Sequence, residues 1–180
     1  CVYAHLPTLY KALPGLHILP QEVTPMPTAE ELARAGFGRR AAYYTSSPVH
    51  AHAADLAHLV ELARPQPHWQ ALDVATGTGH TALAVAPHVR RVLGLDLTPQ
   101  MLAEARSLAQ RDAVANLDWV IGDAHHLPLA DHSLHLVTCR RGAHHFSRIG
   151  QALEEMGRVL APGGRLVIED RSGPEDDAAD

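Results

Sequence analysis

The stretch at residues 71–80, Ala-Leu-Asp-Val-Ala-Thr-Gly-Thr-Gly-His, combines a carboxylate with two closely spaced glycines. Its apolar first half predicts a short buried strand, the glycines predict a tight turn, and residues 78–87 predict a helix. Gly77 and Gly79 lack a Cβ atom, so the backbone can adopt positive φ there and approach a ligand closely. The free N–H groups and the positive dipole end of the helix face the same point. This arrangement predicts a cradle for a nucleotide-like ligand.

Asp73 is out of place in a parallel strand, which is normally apolar throughout when both of its faces are buried. The carboxylate precedes Gly77 by four residues, so it needs a partner near the carboxyl end of the strand. Two partners remain open. One is a cationic ligand group, such as the ammonium of an amino acid, bound directly or through water. The other is the glycine turn, which a strand-end aspartate can cap.

A second carboxylate, Asp96, ends the next predicted strand at residues 91–96. It follows the glycine turn by about twenty residues, where α/β nucleotide sites place an acidic residue on the ribose hydroxyls. A carboxylate suits two adjacent O–H donors because it only accepts hydrogen bonds. We expect Leu97 and Met101 to flank an adenine ring, with core packing as the alternative for Met101. Residues 77–82 also fit the pattern G-x-G-x-x-A, so a NAD(P) site shares these features.

Further strands are predicted at residues 117–121, 133–139 and 165–169, with helices between them. This alternation predicts an α/β fold with a Rossmann-like, doubly wound, mainly parallel sheet and helices on both faces. Three more motifs lie at the strand ends. They are Gly-Asp-Ala at 122–124, Arg-Arg-Gly-Ala-His-His-Phe at 140–146, and Ala-Pro-Gly-Gly at 161–164.

Taken in this order, the motifs resemble those of the class I S-adenosylmethionine-dependent methyltransferases, over residues 37–173. The last three look most similar to the ubiquinone/menaquinone-biosynthesis type. That family usually adds two further strands beside the fifth, so we expect this sequence to be a fragment cut after the fifth strand. The resemblance divides the chain into a Pro-rich segment at 1–36, a partial methyltransferase domain at 37–173 and an acidic tail at 174–180.

The resemblance implies that S-adenosyl-L-methionine is the cofactor. Asp123 would accept a hydrogen bond from the adenine amine and the Ala124 N–H would donate to a ring nitrogen, the alternative for Asp123 being a simple turn aspartate. The other cofactor-binding candidates come from the glycine turn, the end of the second strand with the helix after it, and the end of the fourth strand: Asp73, Ala75, Gly77, Gly79, Asp96, Leu97, Met101 and Arg140.

Groups that follow the fourth strand lie between cofactor and substrate in this fold, so His144, His145 and Arg140 are candidates to touch the methyl acceptor. A neutral imidazole can take a proton at neutral pH, which makes His144 or His145 the catalytic candidate. The alternative is a loop pair that only shapes the pocket. The resemblance also places a residue of the segment before the first helix, Tyr43, Tyr44 or Ser47, near the methionine part, with packing as the alternative for the tyrosines.

The composition of the chain limits which kinds of molecule it can bind and where it can reside. The net charge of -5 disfavours a nucleic-acid binder with a basic surface, so we expect a small-molecule acceptor. No apolar run reaches the roughly 18 residues of a membrane span. Cys1 and Cys139 do not suggest a disulfide framework, which favours a reducing cytoplasm. The 14 histidines lack metal-site spacing, so we expect no metal and place most of them at the surface or in loops.

The sequence therefore predicts methyl transfer from S-adenosylmethionine to a small-molecule acceptor. A NAD(P)-dependent oxidoreductase is one alternative, because it shares the glycine turn and Asp96, but it does not account for Asp73 and Asp123 together. A non-catalytic methyltransferase-like binding module is the other, because a chain cut after the fifth strand can be inactive.

Overall fold

The computed structural model describes residues 36–38, 40, 41, 43, 45 and 53–170, in which five strands form one sheet. The strands are β1 (Gln70–Val74), β2 (Arg91–Asp96), β3 (Leu117–Ile121), β4 (Leu134–Arg140) and β5 (Leu160–Glu169). Their order is β3-β2-β1-β4-β5, and every neighbouring pair is parallel. This order confirms the Rossmann-like α/β fold that the alternation of strands and helices predicts.

Four α-helices lie within residues 53–170: α1 (Ala53–Ala63), α2 (His80–Val85), α3 (Pro99–Arg111) and α4 (Ile149–Val159). The helix after the glycine turn ends slightly earlier than predicted, and the chain continues as a short 3-10 helix at Ala86–His88 that contains Pro87. Proline cannot donate the hydrogen bond that would extend α2. Among the described residues, no helix has both the length and the apolar character needed to cross a bilayer.

The central strands supply two apolar clusters, because successive side chains of a strand point to opposite faces of the sheet. On one face, Leu72 and Val137 belong to the same cluster as Met156 of α4. On the other face, Ala71 and Leu136 pack with residues of α1 and α2. Both faces of β1 and β4 are therefore covered, which explains why these strands are apolar almost throughout.

The fifth strand is longer than the sequence predicts. We expected a turn at residues 161–164 and a strand from Arg165, but β5 begins at Leu160 and includes the Pro-Gly-Gly segment. Leu134 pairs with Leu160 whereas Leu136 pairs with Arg165, so the residues between them bulge out of register. Gly163 has a φ of +80°, which side chains with a Cβ rarely adopt. The Pro-Gly-Gly motif is thus a bulge within the strand.

In the described part of the chain, β5 is the last strand of the sheet, and its Leu166 and Ile168 are exposed. Residues 1–35 and 171–180 lie outside the described residues, as do Tyr44 and Ser47. The Pro-rich segment, the acidic tail, the domain boundaries at 36 and 173, and the roles of those two residues therefore stay predictions.

Candidate active site

A cavity lies at the carboxyl ends of the strands, where the strand order reverses between β1 and β4 and α/β proteins commonly bind ligands. It is open to solvent, and its empty volume of about 580 Å³ includes part of that open space. The loops after the first four strands and one residue of the N-terminal helical segment line it: Phe37, Ala75, Leu95, Asp96, Leu97, Thr98, Gly122, Asp123, Ala124, His125, Gly142, His145 and Phe146.

Asp96 ends β2 and is held by the backbone on both sides. The Gly77 N–H donates to Oδ2 and the Thr98 N–H donates to Oδ1, each at 2.8 Å. Burial raises the pKa of this carboxyl, and the two N–H donors oppose the rise. A carboxylate offers about four acceptor positions, and the Gly77 and Thr98 N–H groups occupy two of them.

The glycine turn has the predicted backbone shape, but its N–H groups are used inside the protein. Gly77 and Gly79 have φ values of +53° and +88°. The Gly77 N–H donates to Asp96, and the Gly79 N–H donates to the Thr76 carbonyl at 2.9 Å. The N–H groups of these two glycines therefore hold the turn together, and the expectation that the N–H groups of the helix start face a ligand stays a prediction. A Cβ on Gly77 would meet nothing within 4 Å, whereas one on Gly79 would lie 2.8 Å from the Trp119 ring.

Two residues without large side chains meet where β1 and β4 end. Ala75 has a φ of +53° although it is not a glycine. Gly142 lies beside it, and a Cβ built on Gly142 would come 2.7 Å from the Ala75 Cβ. Both residues line the cavity. The absence of a side chain at Gly142 therefore allows the ends of the two central strands to lie close together.

Asp73 is only 1% exposed and does not line the cavity. The Thr76 hydroxyl donates to Oδ2 at 2.6 Å, and the Thr138 hydroxyl donates to Oδ1 at 2.7 Å. Burial raises the pKa of Asp73 to about 6, although the two hydroxyl donors and the charge of Arg140 lower it. Of the two partners that the sequence leaves open, the structure shows the turn, through Thr76, and adds Thr138 of β4.

Asp123 follows β3 and receives two hydrogen bonds on one oxygen. The His125 N–H donates to Oδ1 at 2.9 Å, and His125 Nδ1 lies 2.6 Å from the same atom. Partial burial raises the pKa of Asp123, but the backbone and ring hydrogen bonds from His125 outweigh that effect and lower it overall. His125 lies in a loop, as expected, yet it is fully buried rather than at the surface.

Aromatic side chains close part of the cavity. The ring of Phe37 meets His145 edge-on with the centroids 4.8 Å apart, and Phe146 meets His125 edge-on at 5.9 Å. The sequence motifs do not single out Phe37, His125, Gly142 or Phe146 individually. Nothing in the spacing links Phe37 to a loop about a hundred residues later, so only the folded chain reveals that contact.

Charged groups at and just after the carboxyl ends of β4 and β5 form ion pairs. Arg140 donates to Glu169 at 3.2 Å and to Asp55 of α1 at 3.4 Å. Asp170 accepts the His144 N–H on Oδ2 at 2.9 Å, and its Oδ1 lies 2.6 Å from His144 Nδ1. The carboxylate can only accept, so the proton on His144 Nδ1 points at Asp170 and the second ring nitrogen, Nε2, points elsewhere. The rings of His144 and His145 are in contact, with centroids 3.8 Å apart.

Comparison with known proteins identifies the family. Residues 72–168, more than half of the chain, match a family model described as Methyltransferase domain. An uncharacterized methyltransferase of Bacillus subtilis (strain 168), YcgJ, is 38% identical over 144 residues, covering 80% of this chain and 57% of that protein. The UbiE ubiquinone/menaquinone biosynthesis C-methyltransferase of Dinoroseobacter shibae is 42% identical over 114 residues, covering 61% of this chain and 45% of that protein. The crystal structure of YcgJ superposes with a TM-score of 0.64 at 39% identity, over 68% of this chain and 53% of that one.

The chain belongs to this methyltransferase family. The match confirms the class I resemblance that the motifs predict. The methyltransferase chain spans about half the length of the curated relatives it matches.

The structure brings together some of the residues that the motifs predict for the methyltransferase site. Those in the lining are Ala75, Asp96, Leu97, Asp123, Ala124 and His145; those outside it are Asp73, Gly77, Gly79, Met101, Arg140 and His144. Met101 is buried in α3, in agreement with core packing, and Arg140 is engaged in ion pairs. No group of ligating side chains in the described part of this methyltransferase is arranged to hold a metal ion.

Proposed function

We propose that the protein transfers a methyl group from S-adenosylmethionine to a small-molecule acceptor. The observation that carries this proposal is the presence of two carboxylates, Asp96 and Asp123, on one cavity at the ends of the adjacent parallel strands β2 and β3. One carboxylate serves the two ribose hydroxyls and the other serves the exocyclic amine of adenine. A NAD(P) site explains only the first of these groups.

The residues present fit the nucleoside part of this cofactor. Asp96 lines the cavity, and we assign to it the ribose hydroxyls, which would bind the carboxylate beside the N–H groups of Gly77 and Thr98. Leu97 offers an apolar surface to the adenine ring from its place in the lining. At Gly77 the space where a Cβ would lie is open, so the turn admits a ligand beside it. We assign Gly79 and Asp73 to supporting this turn, by packing against Trp119 and bonding to Thr76 respectively.

The cofactor supplies a sulfonium-bound methyl group that is already electrophilic. The protein then has to align the acceptor and exclude water, and such positioning can lower a barrier by about 7–11 kcal/mol. Phe37 and Phe146 contribute apolar surface to the cavity, and Ala75 and Gly142 line it without large side chains where β1 and β4 end. We place the acceptor on the side of the cavity formed by Gly142 and His145.

An acceptor that must lose a proton needs a base, and we propose His144 or His145 for this role. His144 is already oriented by Asp170, which holds the proton on Nδ1 and leaves Nε2 as the proton acceptor. His145 lines the cavity and its ring contacts that of His144. Asp170 is the positioning residue of this pair, and the sequence analysis did not identify it.

The class of acceptor is supported by the relatives and by charge. UbiE, one of the matched proteins, is named for ubiquinone and menaquinone biosynthesis, which favours a small cyclic acceptor. The net charge of -5 favours a small molecule over a nucleic acid. We also propose a cytoplasmic location, which suits the buried free thiol of Cys139.

Thermal unfolding with S-adenosylhomocysteine and, separately, with NAD tests this function. A ligand present at about 100 times its dissociation constant stabilises the folded chain by roughly 2.7 kcal/mol. We expect that stabilisation from S-adenosylhomocysteine only. Stabilisation by NAD alone would favour the oxidoreductase, and a folded chain that responds to neither ligand would favour the non-catalytic binding module.

A further inference from the structure

His125 is buried in the wall of the cavity, with an exposed fraction of 2%, although the function proposed above uses only its neighbours. Its ring lies between two polar groups. Nδ1 lies 2.6 Å from Asp123 Oδ1, and the Arg148 N–H donates to Nε2 at 3.3 Å. Phe146 packs edge-on against the ring, and the His125 carbonyl accepts a hydrogen bond from Gln151 at 2.9 Å.

These contacts determine where the imidazole proton lies. The Arg148 backbone N–H can only donate, so Nε2 must present its lone pair. The proton of the neutral ring is then on Nδ1 and points at Asp123 Oδ1. Because the His125 N–H donates to the same oxygen, Oδ1 receives two hydrogen bonds from one residue.

The hydrogen bonds on Oδ1 also determine where the second oxygen of Asp123, Oδ2, points. An unrestrained carboxylate turns easily about its last torsion, whose preference is broad. Two donors on Oδ1 fix the plane of the group, whereas none of the described residues donates to Oδ2. The Asp123 side chain is 37% exposed and lines the cavity, so Oδ2 is the oxygen that a ligand can reach.

The loop that carries Asp123 and His125 continues to Leu129 and is hydrogen-bonded to α4 there. The Leu127 N–H donates to Glu155 at 2.7 Å, and Arg158 donates to the carbonyls of Leu127 and Leu129 at 3.0 and 2.8 Å. The position of His125 relative to Asp123 is therefore set by a helix that does not itself line the cavity.

We propose that His125 is a positioning residue that orients the Asp123 carboxylate, and that the site thereby selects a purine with a 6-amino group over one with a 6-oxo group. This inference rests on the proposed use of S-adenosylmethionine. A 6-amino group donates to Oδ2, whereas a 6-oxo group places a second acceptor against it. If the carboxylate could turn freely, it would move away from the wrong base and the preference would fall.

The test compares the binding of S-adenosylhomocysteine with that of S-inosylhomocysteine, which carries the 6-oxo group, by titration calorimetry of the whole chain. His125→Asn keeps an N–H donor near the position of Nδ1, and His125→Gln moves the same amide toward the position of Nε2. The two variants are therefore matched in polarity. His126→Asn is the control, because His126 is exposed and its ring contacts Gln151 rather than Asp123.

We expect the wild type and His126→Asn to prefer S-adenosylhomocysteine by about 10- to 100-fold, the value of one hydrogen bond to a charged group. His125→Asn should keep most of this preference. His125→Gln should lose about tenfold in affinity for S-adenosylhomocysteine while its affinity for S-inosylhomocysteine changes by less than about threefold. A purely structural role would instead weaken both ligands together.

Three results would overturn the assignment: an unchanged preference in His125→Gln, an equal loss of both ligands, or a loss in His125→Asn as large as in His125→Gln. If His125→Gln does not fold, a folded His125→Asn that has lost the preference overturns it alone. A folded wild type that binds neither ligand would instead show that the proposed function is wrong, and the inference would fall with it.

Discussion

The two sides of the sheet, with β2 and β3 at one side and β4 and β5 at the other, hold their polar groups in different ways. At the β2–β3 end, Asp96 accepts two backbone N–H groups, and Asp123 accepts a backbone N–H and a buried imidazole. At the β4–β5 end, side chains pair with one another, as Arg140 does with Glu169 and His144 does with Asp170. The groups assigned to the cofactor are thus fixed by the backbone to a larger extent than the groups assigned to the acceptor.

This difference has a consequence for specificity. A backbone N–H survives nearly every substitution, so the β2–β3 end can keep one ligand while the sequence around it changes. Pairs of side chains are altered by a single substitution, so the β4–β5 end is where members of such a fold can acquire different acceptors. The exposed Leu166 and Ile168 of β5 belong to this second region.

The largest effect is expected for Asp96→Ala. The buried N–H of Thr98 and the partly buried N–H of Gly77 lose their acceptor, and a fully buried unsatisfied donor costs about 1–3 kcal/mol. We expect the free energy of unfolding, measured in urea, to fall by roughly 1–4 kcal/mol and the affinity for S-adenosylhomocysteine to fall about 100-fold or more. Asp118→Ala is the matched control, because its exposed pair with Arg91 is worth less than about 1 kcal/mol. Equal losses of stability and affinity in the two variants would contradict a special role of the backbone-held Asp96.

Asp73→Asn tests a carboxylate that is buried without lining the cavity. Burial raises its pKa from 3.8 to about 6, so the folded chain binds a proton more tightly than the unfolded chain between these pH values. The wild type is therefore less stable above about pH 6, where the buried Asp73 is ionised, than below about pH 4, where it is protonated. We expect the stability of Asp73→Asn relative to the wild type to rise by roughly 3 kcal/mol over this window, at about 1.4 kcal/mol per pKa unit. Urea titrations at several pH values measure it, and a difference that does not vary with pH would rule out the raised pKa.

Gly142→Ala should disturb the meeting point of β1 and β4. Its Cβ would lie 2.7 Å from the Ala75 Cβ, and overpacking of this kind typically costs about 1–3 kcal/mol. Gly157→Ala is the control: nothing lies within 4 Å of the new Cβ, and alanine inside α4 should stabilise by about 0.5–1 kcal/mol. Opposite signs in thermal unfolding are expected, and destabilisation of similar size in both variants would refute the close contact.

The smallest effect is expected for Asp170→Ala. The variant removes the acceptor of the His144 N–H and the partner of His144 Nδ1 near the surface, which should cost about 0.5–1.5 kcal/mol. The affinity for S-adenosylhomocysteine should stay within about twofold of the wild type, because Asp170 belongs to the pairs at the β4–β5 end and not to the groups assigned to the nucleoside. A tenfold loss of this affinity in calorimetry would show that the β4–β5 side contributes to cofactor binding, which would contradict the division of roles between the two sides.

The sequence predicts most of the fold because its signals are local. Apolar runs end in Gly77, Asp96 and Gly122, so the strands and the edge at which their polar residues meet follow from the pattern alone. The Pro-Gly-Gly bulge of β5 could not be foreseen, because it depends on the register between Leu134 and Leu160 across two strands.

The candidate site is less predictable where long-range contacts decide the role of a residue. His125 and His126 are adjacent and identical in type, yet one is buried and the other exposed because Arg148 and Phe146 pack against only the first. Similarly, the N–H of Gly77 is taken by Asp96, a partner that appears only when β2 lies beside β1.

A crystal structure of the chain with S-adenosylhomocysteine tests the central claim most directly. We predict that the ribose hydroxyls bind the Asp96 carboxylate, that the adenine ring lies against Leu97, and that its amino group donates to Asp123 Oδ2. A nucleoside bound elsewhere, or bound in this cavity with the adenine away from Asp123, would contradict the account.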